Sequence, residues 1–247
     1  WKRWGFLRLL TFGVVVVYFA GWWITEGTGA PWAMLLYPSA LFLFFATEIA
    51  AWSVWRRVAD ASASYVLLGL VTTLHALSGL GVLESHFIAF RGAFLLATAA
   101  YLLLGARVIV RRHPEDRPLA LCYGYAAGLL LLLAPAMEAR LHGAWHACAW
   151  AVEGALLFRA SEVWGVRGHG RVFAYAACGL AAVRLLAYDT PVALFEVRPY
   201  LPLWNARGLA YAIVTASLVF GCWRSWRRER EGPVEAAEHL AATGLWI

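Results

Sequence analysis

Long runs of apolar residues, separated by short links that contain arginine, proline and glycine, dominate the pattern of the chain. Eight of these runs approach the ~20 apolar residues that a helix needs to cross the hydrocarbon core of a bilayer. Their bounds are about 6–25, 32–55, 62–83, 87–110, 118–137, 142–160, 171–188 and 205–223. The pattern predicts an all-α fold, that of a polytopic helical membrane protein with about eight transmembrane helices.

The basic residues concentrate in alternate links and so orient the predicted helices. Of the 21 Lys and Arg residues, 16 lie around the start of the first run and the links after the second, fourth, sixth and eighth runs. Positive residues favour the cytoplasmic side of a membrane. Both termini are therefore predicted to be cytoplasmic. Residues 1–230 are predicted to form one transmembrane bundle, and residues 231–247 a short cytoplasmic or interfacial tail.

The composition agrees with a membrane protein. Hydrophobic residues make up 62% of the chain and charged residues only 15%, whereas soluble domains carry about 25% charged residues. The net charge of +6 is interpreted as topology-setting charge beside anionic lipid rather than as a nucleic-acid surface. The predicted partners are membrane lipids and other membrane subunits. The four cysteines are isolated within apolar runs and are interpreted as packing residues.

Ionisable residues inside the predicted spans are costly, and each one raises a functional hypothesis. Glu48, in the second run, either makes a hydrogen bond between helices or belongs to a proton relay. His75, in the third run, is interpreted as a hydrogen-bonded core histidine, with a role in proton transfer as the alternative. Glu153, in the sixth run, is expected to make a specific polar contact, because an unpaired buried carboxylate is costly.

The remaining polar residues gather near the outer ends of the last three runs. We name this group the outer polar cluster; its members are His142, His146, Glu153, Arg184, Asp189, Asn205 and Arg207. His142, His146, Ala149 and Glu153 share one helix face, because steps of four, three and four residues return to about the same angle. Such a stripe suits a metal, heme or proton-transfer site, or plain helix capping and pairing. No third ligand is demanded by the spacing, so no metal site is assigned and the cofactor is left open.

The run that ends at Asp189 raises a separate question, because Arg184 and Asp189 lie about 140° apart on an ideal α-helix. A direct contact requires the helix end to unwind. We expect Arg184 to pair with Asp189 or with Glu153, and Arg207 to share the carboxylate of Asp189. The alternative is that Arg184 or Arg207 binds an anionic headgroup or phosphate from the outer leaflet.

Two segments, "WAVEGALLFRASEVWGVRGHGRVFAYAACGLAAVRLLAYD" and "PLWNARGLAYAIVTASLVF", resemble a family of bacterial multi-pass membrane proteins, the domain-of-unknown-function 2339 family. The resemblance is clearest over residues 145–220. The positions that carry it are Trp150, Glu153, Arg184, Asp189, Asn205 and Arg207. It implies a location in the bacterial cytoplasmic (inner) membrane and brings no activity with it.

Four functions compete at this point, and whether the protein is an enzyme stays open. The first is a structural or accessory subunit of a larger membrane complex. The second is an enzyme or carrier that acts on a lipid-linked or cell-envelope substrate at the outer leaflet. The third is a proton-coupled transporter that uses Glu48, His75 and Glu153. The fourth is a heme- or pigment-binding protein, which depends on the histidines alone.

Overall fold

The computed structural model describes residues 2–26, 29–56, 62–138, 141, 143–163, 167–189 and 206–229. These residues are almost entirely helical and contain no β-strand, which confirms the all-α prediction. The long helices of this part of the chain are α1 (Lys2–Glu26), α2 (Pro31–Arg56), α3 (Ser62–His86), α4 (Arg91–Arg112), α5 (Arg117–Met137), α6 (Trp145–Val163), α7 (Arg167–Val183) and α8 (Ala206–Glu229). A 3₁₀ turn, Ile88–Phe90, precedes α4, and α7 continues as a π-helix over Arg184–Asp189.

Within the described ranges, six helical segments are long and apolar enough to cross a membrane. They are Leu7–Thr25, Pro31–Trp55, Ser62–His86, Ile88–Arg112, Arg117–Met137 and Arg171–Asp189. In α8 the apolar stretch is shorter, Gly208–Arg224. Helix α6 is not among the six and carries Glu153 and Arg159 within its length. The chain is thus a multi-pass membrane protein by length and composition.

The observed helices extend beyond most of the predicted bounds. Helix α7 starts at Arg167 rather than at residue 171, and α8 continues to Glu229. Apolar patterning reports where lipid contact ends, whereas backbone hydrogen bonds continue until a cap or a turn stops them. Helices α4 and α6 instead start later than predicted, at Arg91 rather than at residue 87 and at Trp145 rather than at residue 142. Two residues before α6, Gly143 has a φ of 55°, a left-handed conformation that glycine adopts at little cost.

The chain divides into two compact units, Trp1–Leu130 and Leu131–Ile247, and the division falls within α5. In the first unit, α2 packs against α3 and α4, and α1 packs against α3. Its fully buried side chains include Phe42, Ile49, Leu67, Leu95, Leu102 and Tyr123. The phenyl ring of Phe94 covers Gly79 of α3, and the ring of Tyr123 covers Gly105 of α4. The packing of these aromatic rings against glycines therefore sets the spacing between α3 and α4 and between α4 and α5.

In the second unit, α6 packs against α7 and α8 through small residues. The buried small side chains are Ala144, Ala147, Cys148, Ala151, Ala181 and Ala210. A Cβ atom placed on Gly154 of α6 would lie 2.6 Å from Cys178 Sγ and 3.0 Å from the carbonyl oxygen of Ala174 in α7. Small residues allow such close backbone approach, which is how helices gain van der Waals contact within lipid. The predicted tail, residues 231–247, lies outside the described residues.

Candidate functional site

Part of the outer polar cluster is described, and it belongs to the second unit. The described side chains are those of His146, Glu153, Arg184 and Asp189. His142 and Asn205 lie outside the described residues. Arg207 belongs to the first turn of α8, but its side chain is outside the described part. The sharing of Asp189 by Arg207 therefore stays a prediction.

Arg184 and Asp189 form the expected ion pair, because α7 ends in a π-helix. Arg184 Nε lies 3.4 Å from Asp189 Oδ1. Hydrogen bonds in a π-helix join residues five apart, so the side chains of these two residues lie on nearly the same side of the helix. The expectation that the end of the α-helix must unwind to allow this contact is wrong. The helix widens over its last six residues instead, Arg184–Asp189.

The surroundings of this pair differ sharply between its two members. The Asp189 side chain is 5% exposed, whereas that of Arg184 is 29% exposed. The guanidinium carbon of Arg184 lies 4.0 Å from the centre of the Tyr188 ring, a cation–π distance. Asp189 Oδ2 is buried, and no group in the described part of the chain donates a hydrogen bond to it. The guanidinium of Arg184 is therefore contacted by Asp189 and by the Tyr188 ring, while the Asp189 carboxylate is buried.

Glu153 is not the partner of Arg184. Its Oε1 atom is buried, and none of the residues that the structure describes donates a hydrogen bond to it. The specific polar contact expected for Glu153 is thus not present among the described residues. Glu153 stays a candidate site residue because a buried carboxylate oxygen without a donor is costly.

His146, the other member of the cluster on α6, contacts the turn that precedes the helix. Its Nδ1 atom lies 3.3 Å from the carbonyl oxygen of Gly143. Because a carbonyl oxygen only accepts, Nδ1 carries the proton in this contact. In the ranges that the structure describes, no three His, Cys, Asp or Glu side chains come together to hold a metal ion. The histidine stripe of α6 therefore gains no further ligand there.

Trp150, which carries part of the family resemblance, ties α6 to the end of α5. Its indole Nε1 donates a hydrogen bond of 2.9 Å to the carbonyl oxygen of Leu132. Pro135 lies within this last part of α5 and lacks the N–H that would bond the carbonyl four residues earlier. That carbonyl belongs to Leu131, so Trp150 binds the neighbouring carbonyl, one residue after the position where proline interrupts the hydrogen bonding of the helix.

In the first unit, Glu48 makes the contact between helices that was expected for it. Its carboxylate pairs with the guanidinium of Arg8 in α1. Arg8 Nη1 also donates a 3.0 Å hydrogen bond to Ser64 Oγ of α3, and its guanidinium lies 5.2 Å from the Trp52 ring centre. This group joins α1, α2 and α3. Sequence reasoning had treated Arg8 only as a topology-setting charge and had not identified it as the partner.

His75 is a hydrogen-bonded core histidine, as interpreted from the sequence. Its Nε2 atom lies 3.2 Å from Thr98 Oγ1 in α4. Because the Thr98 hydroxyl donates to the carbonyl oxygen of Phe94 at 2.9 Å, Nε2 is the donor in this contact. The imidazole stacks on Phe42, with the ring centres 4.5 Å apart and the planes at 9°. His75 therefore acts as a packed aromatic side chain that also links α3 to α4.

Replacing His75 by phenylalanine should change the free energy of unfolding by less than about 1.5 kcal/mol, because the new ring fills a similar volume. Replacing it by alanine should cost about 3 kcal/mol through the cavity that remains. Thermal unfolding of the detergent-purified variants compares the two. Equal losses in both variants would show that the imidazole nitrogens, rather than ring packing, account for the stability.

A buried polar group that the sequence had not indicated joins the end of α2 to the link between α4 and α5. Ser53 Oγ donates a 2.5 Å hydrogen bond to Asp116 Oδ2 and lies 3.3 Å from His113 Nδ1. All three side chains are buried. In a serine-protease triad the histidine lies between serine and aspartate, whereas here the serine lies in the middle. The arrangement is thus a tie between helices rather than a catalytic triad.

Replacing Ser53 by alanine should lower the free energy of unfolding of the first unit by about 2 kcal/mol, because the buried side chains of His113 and Asp116 both lose the hydroxyl that they contact. Ser39→Ala is the matched control. The Ser39 hydroxyl donates to the carbonyl oxygen of Leu35 within the same helix, so its loss should be nearly neutral. Chemical denaturation in detergent, monitored by tryptophan fluorescence, measures the stability of both variants. A Ser53 variant as stable as the Ser39 variant would contradict this role.

Most of the described buried polar side chains are thus used to join helices. Some buried oxygen and nitrogen atoms nevertheless lack a hydrogen-bond partner among the described residues. They include Glu48 Oε2, His75 Nδ1 and Asp116 Oδ1 in the first unit, and Glu153 Oε1 and Asp189 Oδ2 in the second. No family model, no curated protein and no solved structure matches this chain.

Proposed function

We propose that the protein is a structural or accessory subunit of a larger complex in the bacterial cytoplasmic membrane. In this proposal it crosses the bilayer eight times, with both termini in the cytoplasm. The six apolar helices support the membrane assignment. The clustering of arginine in alternate links supports the orientation. The resemblance to the domain-of-unknown-function 2339 family supports the bacterial location and is itself part of the proposal.

The observation that carries the subunit role is how the ionisable residues of the first unit are used. A proton pathway would need Glu48 and His75 to exchange protons with water or with each other. Instead, Glu48 pairs with Arg8, and His75 is stacked on Phe42 and hydrogen-bonded to Thr98. Glu48 Oε1 and His75 Nε2 thus make contacts between helices, while Glu48 Oε2 and His75 Nδ1 have no partner among the described residues. The contacts that are made favour a rigid scaffold over a carrier of protons.

Affinity purification with a photo-reactive residue tests the subunit role. Position 17 is suited to the photo-reactive residue, because Val17 of α1 is 73% exposed, whereas the buried Ile49 of α2 provides the control position. We expect one partner to be cross-linked from position 17 and not from position 49. Deleting the gene that encodes this protein should lower the abundance of that same partner. Cross-links to lipid alone, with no partner whose level depends on the chain, would contradict the proposal.

A second candidate function is supported by the second unit. An enzyme or carrier for a lipid-linked substrate at the outer leaflet needs a polar group available within the bilayer. Glu153 provides one, since its Oε1 atom is buried without a hydrogen-bond donor among the described residues. Glu153→Gln removes the acid and keeps the shape. Glu115→Gln, at an exposed position before α5, is the matched control.

Complementation of the phenotype of a deletion strain distinguishes the two candidates. An accessory subunit should tolerate Glu153→Gln as well as Glu115→Gln, because the amide preserves packing. Loss of complementation by Glu153→Gln alone, with the protein present at its normal level, would favour the enzyme or carrier.

A further inference from the structure

The guanidinium of Arg184 is fixed in position but only partly used. Its Nε atom faces Asp189 Oδ1 at 3.4 Å, a distance typical of an ion pair rather than of a well-formed hydrogen bond. One face of the guanidinium lies on the Tyr188 ring. No acceptor in the described part of the chain binds its two terminal nitrogens, Nη1 and Nη2. The sequence left two alternatives for Arg184, an ion pair with Asp189 and the binding of an anion. The two are compatible, because they use different edges of the guanidinium.

The terminal edge of a guanidinium is suited to one class of ligand. Its two parallel N–H groups match two oxygens of a phosphate or carboxylate and bind them bidentately. A π-helical turn is rare and occurs frequently at functional sites. Here the turn places Asp189 against Nε, so the ion pair leaves the terminal edge, Nη1 and Nη2, without an acceptor among the described residues. The cation is therefore preorganised for an anion that approaches from outside the helix.

The surroundings of Arg184 indicate where that anion comes from. Its neighbours along the helix are exposed and apolar: Val183 is 63%, Leu186 61% and Tyr188 56% exposed. Arg184 also lies five residues before the end of the candidate span Arg171–Asp189, close enough to the end for a long side chain to reach the membrane interface. We propose that Arg184 binds the phosphate group of a membrane phospholipid, whose acyl chains lie along the exposed apolar side of α7. This site does not depend on the proposed function and applies to a subunit or a carrier alike.

Chemical protection of the wild-type protein tests the site without any substitution. Phenylglyoxal modifies guanidinium groups, and peptide mass spectrometry reports the rate at each arginine. In detergent, added phosphatidylglycerol should slow the modification of Arg184 about tenfold, the effect of one charge-assisted hydrogen-bonded contact. Diacylglycerol with the same acyl chains should leave the rate unchanged. Arg91 serves as the internal control, because its Nη1 atom already pairs with Glu84.

The other outcomes of this experiment overturn the proposal. An unchanged rate at Arg184 in phosphatidylglycerol would show that no phospholipid binds there. Equal protection by inorganic phosphate at the same concentration would assign the site to a free anion rather than to a lipid. Protection by diacylglycerol would show that the acyl chains alone shield the residue.

A lysine variant tests the role of the planar fork. Lysine keeps the positive charge at residue 184 but cannot make the bidentate contact. We expect Arg184→Lys to retain one phosphatidylglycerol fewer than the wild type in native mass spectrometry, at unchanged thermal stability. Arg91→Lys should retain the wild-type number. Equal lipid retention in all three proteins would overturn the proposal.

Discussion

Replacing Gly154 by leucine should force α6 and α7 apart and lower the free energy of unfolding of the second unit by about 3 kcal/mol. Even a Cβ atom at this position would lie 3.0 Å from the Ala174 carbonyl oxygen and 3.3 Å from the Cys178 backbone nitrogen. These are backbone atoms, so rotating a side chain does not relieve the contact. The helices must move, and the small-residue packing of Ala147 and Ala151 beside Gly154 is lost with them.

Two measurements report this separation. The midpoint of thermal unfolding in detergent should fall, and the thiol of Cys178, which is 1% exposed in the wild type, should react faster with a maleimide. Gly124→Leu in α5 is the matched control, since nothing lies within 4 Å of a Cβ atom placed there. If the Gly154 and Gly124 variants unfold at the same temperature, the close contact between α6 and α7 does not exist.

Replacing Glu48 by alanine should lower the free energy of unfolding of the first unit by about 3 kcal/mol. The substitution removes the carboxylate that neutralises the guanidinium of Arg8 between α1, α2 and α3. A charge in an apolar environment without its counter-ion is costly. Glu84→Ala is the control, because Glu84 also pairs with an arginine, Arg91, but is 58% exposed. Exposed ion pairs contribute only about 0–1 kcal/mol.

Removing both charges should cost less than removing one. The double variant Arg8→Met, Glu48→Met leaves no charge behind and fills the space with apolar atoms. A double-mutant cycle with the two single methionine variants therefore has a large coupling energy, measured from thermal or chemical unfolding in detergent. Additive effects of the two substitutions would contradict the pairing of Arg8 with Glu48.

The helices could be predicted from the sequence because their signal is local. A run of about 20 apolar residues specifies a helix in lipid whatever surrounds it, since backbone groups must bond within the segment. For the same reason, Glu48 and His75 could be singled out, because an ionisable residue in such a run is conspicuous. The identity of their partners could not be predicted. Arg8 and Thr98 lie 40 and 23 residues away along the chain, and many other polar residues were equally plausible.

The polar groups that sequence reasoning missed depend on tertiary structure. His113 and Asp116 belong to a short basic link that the sequence presents as cytoplasmic surface, yet both are buried against Ser53. The π-helical end of α7 is a further case. Regular periodicity predicts Arg184 and Asp189 on different faces, and only the change in helix type brings them together. No local pattern of residues distinguishes a π-helical turn from an α-helical one here.

The central claim, eight spans with both termini in the cytoplasm, is tested most directly by reporter fusions along the chain. In the part of the chain that the structure describes, six helices are long and apolar enough to span, whereas α6 and the short apolar stretch of α8 fall outside that set. Fusions after residues 30, 85, 140 and 197 should report the outside, and fusions after residues 58, 114, 165 and 230 the inside. The pair after 140 and 165 tests α6, and the pair after 197 and 230 tests α8. Opposite signals within each pair are the predicted result. The same signal on both sides of α6 or of α8 would contradict the eight-span topology.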